Sequence, residues 1–114
     1  MTPSVAYKVL TEAQMKVLET GTFKGAPVDL ADGYIHLSTA EQLTETVDRH
    51  FAGQSGLWVV AVDLTAQDDP VKWEESRGGA LFPHLYGALL LETVIAYEPL
   101  ERDGNGKVKL PVAG

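Results

Sequence analysis

The sequence of 114 residues contains no cysteine. This absence excludes disulfide bonds, thiolate zinc sites, iron–sulfur clusters and a cysteine nucleophile. Long apolar runs are also missing: the longest, Leu57 to Val62 and Ala88 to Leu91, fall far short of the roughly 20 residues that cross a bilayer. No basic region followed by an apolar stretch opens the chain. We therefore expect a cytoplasmic protein with no membrane partner.

Basic residues are scarce. Nine Lys and Arg stand against 16 Asp and Glu, for a formal net charge of −7, and only three of the basic residues are arginines: Arg49, Arg77 and Arg102. Domains that bind nucleic acid are usually basic, because Lys and Arg displace the counterions of the phosphates. We therefore expect no nucleic-acid partner.

What remains is the composition of an ordinary folded protein, 45% hydrophobic and 22% charged. A chain of this length has room for one core. Residues 1–114 are therefore predicted to form a single domain, and the oligomeric state is left open.

Two segments have the pattern of amphipathic helices. Thr11 and Gln14 have the spacing of a capping box, which predicts a helix from Glu12 to Thr20. We expect its core-facing residues to be Ala13, Val17 and Leu18. A second helix is predicted to begin at Ser38 or Thr39, with one apolar stripe made of Ala40, Leu43, Val47 and Phe51.

Five to seven short strands are predicted, most of them late in the chain. Leu57 to Leu64 is nearly continuous apolar sequence and predicts a central strand. Residues Gly21 to Asp32 and Glu75 to Gly87 contain glycine and proline and are predicted to be irregular connections. Early helices and late strands indicate the α+β class.

The segment Asp32-Gly-Tyr-Ile-His-Leu-Ser-Thr39 is a first candidate for a functional site. Alternate side chains of a strand share a face, which predicts one polar face made of Tyr34, His36 and Ser38. Ser38 and Thr39 also lie at a predicted helix N-terminus, where a phosphate or carboxylate is stabilised. The alternative is that they only cap the helix and that His36 is half-buried.

The segment from Trp73 to Gly87 is a second candidate. It combines an acid, an arginine and a histidine with three aromatic rings, as expected of a pocket that stacks a ring and holds an anion. These residues are Glu74, Arg77, His84, Trp73, Phe82 and Tyr86. Its glycines would let the backbone approach a ligand, and Phe82-Pro83 could form a cis turn. The alternative is a structural loop that plugs the end of the sheet.

Other chemistries have weaker support. His36, His84 and Glu74 have the donor types of a zinc or iron(II) site, but no local ligand spacing accompanies them. No metal is therefore predicted. The chain also has no P-loop, no G-x-G-x-x-G after a strand and no G-x-S-x-G.

DGYIHLST followed by EQL, together with KWEESRGG and FPHLYG, resembles the signature of a bacterial and plant family, domain-of-unknown-function family nine-five-two. The resemblance runs from about Tyr7 to Leu100. It implies a fold like that of ADP-ribosyltransferases, a small split antiparallel β-core with two main helices around an NAD-binding cleft.

The resemblance also implies roles for individual residues. By position, His36 would contact a ribose hydroxyl of NAD, with Ser38 and Thr39 near a phosphate or the second ribose. Tyr86 or Trp73 would stack on the nicotinamide ring.

The acid that steadies the ribose cation would by position be Glu74. No glutamate falls clearly at the expected late-strand position, and Glu92 and Glu98 remain alternatives.

The leading functional hypothesis is a nucleotide-like small-molecule ligand, of the NAD or ADP-ribose type, in a cleft between the His36 strand and the 74–87 loop. Tyr34, Phe82 and Arg77 would help to bind it, with Arg77 facing the diphosphate. His84 is the candidate general acid–base, because an unperturbed imidazole titrates near neutral pH.

NAD would then be a substrate, and no resident cofactor is predicted. The sequence leaves open whether the protein cleaves or transfers from this nucleotide. One alternative is a non-enzymatic module that binds a small anion or a peptide, and the other is a metal-assisted hydrolase.

Overall fold

The computed structural model describes residues 3–111, with the backbone alone for Arg77. Three helices and eight strands follow one another along the chain: β1 (Val5–Thr11), α1 (Glu12–Glu19), β2 (Thr22–Phe23), α2 (Pro27–Asp32), β3 (Ile35–His36), α3 (Leu43–His50), β4 (Leu57–Asp63), β5 (Val71–Glu75), β6 (Leu81–Leu85), β7 (Leu89–Leu90) and β8 (Val94–Pro99). Short 3-10 turns lie at Leu64–Ala66, Arg77–Gly79 and Leu91–Thr93. No helix within residues 3–111 is long and apolar enough to cross a membrane.

The strands form three antiparallel sheets, so the predicted α+β class is confirmed. The first sheet has the order β1-β4-β8, the second pairs β2 with β7, and the third has the order β3-β6-β5. The predicted central strand is β4. One core joins the first and third sheets to α1, and its fully buried side chains include Leu10, Leu18, Ile35, Val60 and Leu85.

The capping box at the start of α1 is confirmed. The Gln14 N–H donates to Thr11 Oγ1 at 3.2 Å, and the Thr11 N–H donates to Gln14 Oε1 at 2.9 Å. The predicted buried face is wrong in part, because Met15 and Leu18 are buried whereas Ala13 and Val17 are exposed. β1 continues into α1 without a loop, and the strand therefore fixes which side of the helix meets the core.

The second predicted helix begins later than expected, at Leu43. Thr39 and Gln42 do exchange backbone-to-side-chain hydrogen bonds of 3.0 and 3.2 Å, but they close a turn that precedes α3. Ser38 is not a helix cap: its hydroxyl bonds to the Thr46 hydroxyl at 2.8 Å. Its backbone pairs instead with Tyr7 of β1, and this bridge places β3 beside β1.

Two segments predicted to be irregular are regular. Residues 21–32 contain β2 and the six-residue helix α2, in which Pro27 lies in the first turn and the Asp29 carboxylate accepts the Ala26 N–H at 2.8 Å. Gly33 ends this helix with a φ of +88°, a conformation that glycine adopts without strain. A helix this short leaves too little periodicity in the sequence to be found.

The predicted 75–87 loop is largely a β-hairpin, in which β5 and β6 are joined by the turn Arg77–Gly79. Gly78 and Gly79 have φ values of +64° and +81°, so these glycines serve the turn. Pro83 lies inside β6, and the described residues contain no cis peptide bond. Pro83 has no N–H to donate, but its carbonyl accepts the Leu37 N–H at 3.1 Å, so β6 stays paired to the segment that follows β3.

Candidate functional site

The third sheet carries a polar face. His36 pairs with His84, and Glu74 pairs with Phe82, and paired residues of neighbouring strands share a face. Ile35 and Leu37, which alternate with the polar residues, are buried in the core as predicted. The two segments singled out in the sequence therefore meet on one sheet.

Four rings form a cluster on this face, the ring cluster of Tyr34, His36, His84 and Tyr86. The imidazole centroids of His36 and His84 are 5.4 Å apart. Tyr34 stacks on His84 at 4.1 Å and lies 4.6 Å from His36, and Tyr86 is 5.1 Å from Tyr34. Each imidazole is thus held between an aromatic neighbour and a hydrogen-bonded carboxylate.

Glu74 orients His84. Its Oε1 accepts hydrogen bonds of 2.8 Å from His84 Nδ1 and 2.8 Å from the Tyr86 hydroxyl. These two bonds lower the pKa of Glu74, while the same carboxylate raises the pKa of Tyr86 to about 12. An ionised Glu74 can only accept a hydrogen bond, so Nδ1 of His84 must carry a proton. In a neutral His84 the other nitrogen, Nε2, then has the lone pair that a base needs.

A buried ion pair holds His36. Lys8 Nζ lies 2.9 Å from Asp29 Oδ2 and donates to the His36 carbonyl at 3.0 Å, and His36 Nδ1 lies 2.6 Å from Asp29 Oδ1. Burial alone would raise the pKa of Asp29, but hydrogen bonds from His36 and the charge of Lys8 outweigh it and lower the pKa to about 2. Burial lowers the pKa of Lys8.

Sequence reasoning missed both Lys8 and Asp29, which are only 7% and 2% exposed. The available signal was a lysine inside the otherwise apolar strand sequence Val-Ala-Tyr-Lys-Val-Leu. A buried lysine requires a carboxylate partner, but nothing in the sequence says which one.

A second carboxylate touches His36. Asp32 Oδ2 lies 3.0 Å from His36 Nε2, so both ring nitrogens face acidic oxygens. Only the doubly protonated imidazolium donates from both nitrogens.

The two histidines lie on the wall of a cleft of about 550 Å³, within the range of small-molecule sites. Among the predicted site residues, the cleft is lined by His36, Ser38, Phe82 and His84. Lys8 and Asp32 also line it, beside several apolar side chains of α2 and β1. Imidazoles, a cation and apolar surface thus meet in one concave surface.

The remaining predicted residues lie elsewhere. Tyr34 and Glu74 contact the histidines, and Tyr86 contacts Tyr34 and Glu74. None of the three is among the residues that line the cleft. Trp73 pairs with Pro83, and strand alternation places it on the opposite face from Glu74. Thr39 is buried in the turn before α3.

The predicted role of Arg77 concerns its side chain, which lies outside what the structure describes.

Gly87, which closes the FPHLYG motif, has a structural role. A Cβ atom there would lie 1.9 Å from Asp69 Oδ2, so no side chain fits without moving that carboxylate. The sequence suggested that this glycine lets the backbone approach a ligand. In the structure it instead allows the segment at Gly87 to pack closely against Asp69.

The three donors named for the metal alternative bond to carboxylates or to one another. Within residues 3–111, no group of three His, Cys, Asp or Glu side chains is placed to hold a metal ion. Both nitrogens of His36 face carboxylates, and Nδ1 of His84 bonds to Glu74.

Comparison with known proteins identifies relatives over most of the chain. A family model described as "Protein of unknown function (DUF952)" matches residues 9–97. The crystal structure of protein CC0527 from Caulobacter crescentus is 43% identical, with a TM-score of 0.82, and the match covers 92% of this chain and 93% of that chain. The solution NMR structure of CC0527 is 44% identical, with a TM-score of 0.77 and coverage of 93% and 91%. A comparison with curated proteins finds no match. The chain therefore belongs to the DUF952 family, as the motifs DGYIHLST and FPHLYG predicted.

Proposed function

We propose that the cleft binds a nucleotide of the NAD or ADP-ribose type, on a fold related to the ADP-ribosyltransferases. One observation carries the proposal: two imidazoles, each oriented by its own carboxylate, converge to 5.4 Å on the wall of a cleft of about 550 Å³. Such a cleft combines the apolar surface that a base or nicotinamide ring needs with groups that hold its polar parts.

The Glu74–His84 pair gives this site its chemistry. Cleavage would break the bond between the ribose C1′ and the nicotinamide nitrogen, and the bonding electrons would leave with nicotinamide. Water or an acceptor hydroxyl would then bond to C1′ and give its proton to His84 Nε2. Glu74 lies 2.8 Å from His84 Nδ1 and would stabilise the imidazolium that forms.

Glu74 is thereby assigned a different role from the one that the sequence suggests. It contacts His84 and Tyr86 and does not line the cleft. We therefore propose that it acts as a positioning residue for His84 and does not touch the ribose.

The test is a thermal-shift and turnover assay with NAD, ADP-ribose and AMP. A ligand present at about 100 times its Kd stabilises the folded state by roughly 2.7 kcal/mol. Glu74→Gln should keep this shift and lose at least tenfold in nicotinamide release. Glu75→Gln is the matched control, since Glu75 is the exposed neighbour on the same strand and should change neither readout.

If millimolar NAD, ADP-ribose and AMP all leave the melting temperature of the wild type unchanged, the proposed function is wrong.

A non-enzymatic binding module is the second candidate, and one observation favours it. The polar groups of the ring cluster are already bonded within the protein, because Asp29, Asp32 and Glu74 satisfy three of the four imidazole nitrogens. Stabilisation by a nucleotide with no nicotinamide released from NAD by the wild type would favour this module over an enzyme.

A further inference from the structure

His36 bonds to two carboxylates that differ in burial. The Asp29 side chain is 1% exposed, whereas the Asp32 side chain is 45% exposed. The two contacts therefore have different strengths, and they need not serve the same purpose.

The contact with Asp29 is part of the fold. Besides His36 Nδ1, the Asp29 carboxylate bonds to the Lys8 ammonium and to the backbone N–H groups of Ala26 and His36. Moving Asp29 away from His36 would also move it away from the buried Lys8 ammonium, and a buried charge without its partner is costly. Asp29 therefore keeps Nδ1 protonated and fixes the plane of the ring.

The contact with Asp32 can be exchanged. Within residues 3–111, the Asp32 carboxylate has His36 Nε2 as its one ion-pair partner, at 3.0 Å. Asp32 is the last residue of the six-residue helix α2, and Gly33 follows it. Both Asp32 and His36 line the cleft, so a ligand in the cleft reaches the bond between them. An exposed ion pair of this kind holds only weakly.

The charge around His36 indicates what can replace Asp32. The groups that face its ring are Asp29, Asp32, His84 and Tyr34, and the Lys8 ammonium bonds to its backbone carbonyl. An anionic oxygen at Nε2 would replace the Asp32 carboxylate with a group of the same kind, an oxygen acceptor that carries negative charge, whereas a neutral hydroxyl would supply no charge.

We infer that His36 Nε2 is the subsite for a phosphate oxygen of the ligand, and that Asp32 holds the place of this oxygen until the ligand binds. The inference rests on the proposed function for the identity of the cleft, and it adds the chemical group that His36 takes. It differs from the contact with a ribose hydroxyl that the family resemblance implies.

The first experiment measures the affinity of the Asp32→Ala variant for ADP-ribose and for inorganic pyrophosphate by calorimetry. Removing the competing carboxylate should tighten both by about five- to tenfold, the range expected for a weak ion pair together with the relief of charge repulsion. Glu41→Gln is the charge-matched control. Glu41 acts on Tyr7 of the cleft wall through its charge, and it should change affinity by less than twofold. If Asp32→Ala and Glu41→Gln increased the affinity equally, the effect would come from the overall charge and not from the contact with His36, and the inference would be overturned.

A double-mutant cycle tests whether the effect passes through His36. In a His36→Gln background, Asp32→Ala should no longer tighten binding of pyrophosphate. Because His36→Gln could impair folding, nitrogen-15 spectra of the wild-type imidazoles provide an independent readout. Pyrophosphate should move the Nε2 signal of His36 and leave its Nδ1 signal in place, and an unmoved Nε2 signal would overturn the inference.

The two proposals fail in different ways. If pyrophosphate binds with the expected dependence on Asp32 but no nucleotide binds, the subsite stands and the proposed function fails. If NAD binds the wild type and Asp32→Ala equally well, the proposed function stands and the phosphate subsite is wrong.

Discussion

The first and third sheets each place a central strand between two neighbours, but they use its side chains differently. β4 buries apolar residues on both faces, with Val59, Val60 and Val62 all within the cores. β6 buries Leu85 on one face and presents His84 on the other, where carboxylates and rings surround it.

The two sheets therefore show two different kinds of stabilising interaction in one small domain. Apolar burial along β4 is insensitive to charge, whereas the polar face of the third sheet depends on ion pairs in fixed geometry, and Asp29 links these pairs to Lys8 of β1. The face that carries the candidate site is therefore also the part whose stability is expected to depend on pH.

The largest expected effect is on the buried ion pair. Asp29→Ala leaves the Lys8 ammonium buried without its carboxylate, and we expect a loss of about 3–5 kcal/mol in the free energy of unfolding. Urea denaturation at pH 7 measures it. Asp48→Ala, which removes an exposed partner of Arg102, should cost at most about 1 kcal/mol. Similar losses in the two variants would show that burial does not make the Lys8–Asp29 pair more important for stability than an exposed pair.

The next largest expected effect is on the pH dependence of the free energy of unfolding, through the Asp29 carboxylate that bonds to His36 of the third sheet. Because the fold lowers the pKa of Asp29 from 3.8 to about 2, its contribution is fully present above pH 4 and is lost as the pH falls toward 2. The loss is on the order of 2 kcal/mol. Urea denaturation series between pH 5 and pH 2 should give a shallower pH dependence for Asp29→Asn than for the wild type.

Val60→Ala provides the comparison for that series. Val60 is fully buried in β4, and the lost methyl groups and the cavity should cost about 2 kcal/mol. This offset from the wild type should be the same at pH 5 and at pH 3, where the protein is still folded. An offset that changes with pH would show that the packing of β4 is coupled to the ionisation of Asp29.

The smallest effect is local and spectroscopic. Glu74→Gln removes the carboxylate that raises the pKa of Tyr86 to about 12, so this pKa should fall toward the ordinary value of 10. Ultraviolet titration at the phenolate band measures it, with Tyr86→Phe to assign the signal. Glu75→Gln should leave the titration unchanged. An unaltered Tyr86 in Glu74→Gln would mean that the hydrogen bond is not formed in solution.

The sequence predicts the regular parts of this fold well, for reasons that are local. The capping box at Thr11 and Gln14 and the continuous apolar run of β4 each have their cause within a few residues. The rotation of α1 was predicted wrongly because it depends on the sheet that the helix meets and not on the helix itself.

The hairpin β5–β6 was missed for the opposite reason. Glycine and proline favour loops in isolation, but here Gly78 and Gly79 make the turn and Pro83 lies within a strand. The hydrogen bond between the Pro83 carbonyl and the Leu37 N–H, made between distant parts of the chain, outweighs the local preference of glycine and proline for loops.

The candidate site was predicted in part. Alternation along Tyr34, His36 and Ser38 is a property of any strand and could be read from the sequence. The meeting of His36 with His84 could only be guessed from the pattern of residue types. The pairing of Lys8 with Asp29 could not be predicted, because a buried charge finds its partner through the fold.

The contact between Gly87 and Asp69 has a consequence for interpreting other members of the family. Asp69 can occupy its position only because residue 87 has no side chain. The residues at positions 69 and 87 should therefore vary together across related sequences. A relative with alanine in place of Gly87 should carry a smaller residue at position 69 or a turn of different length there.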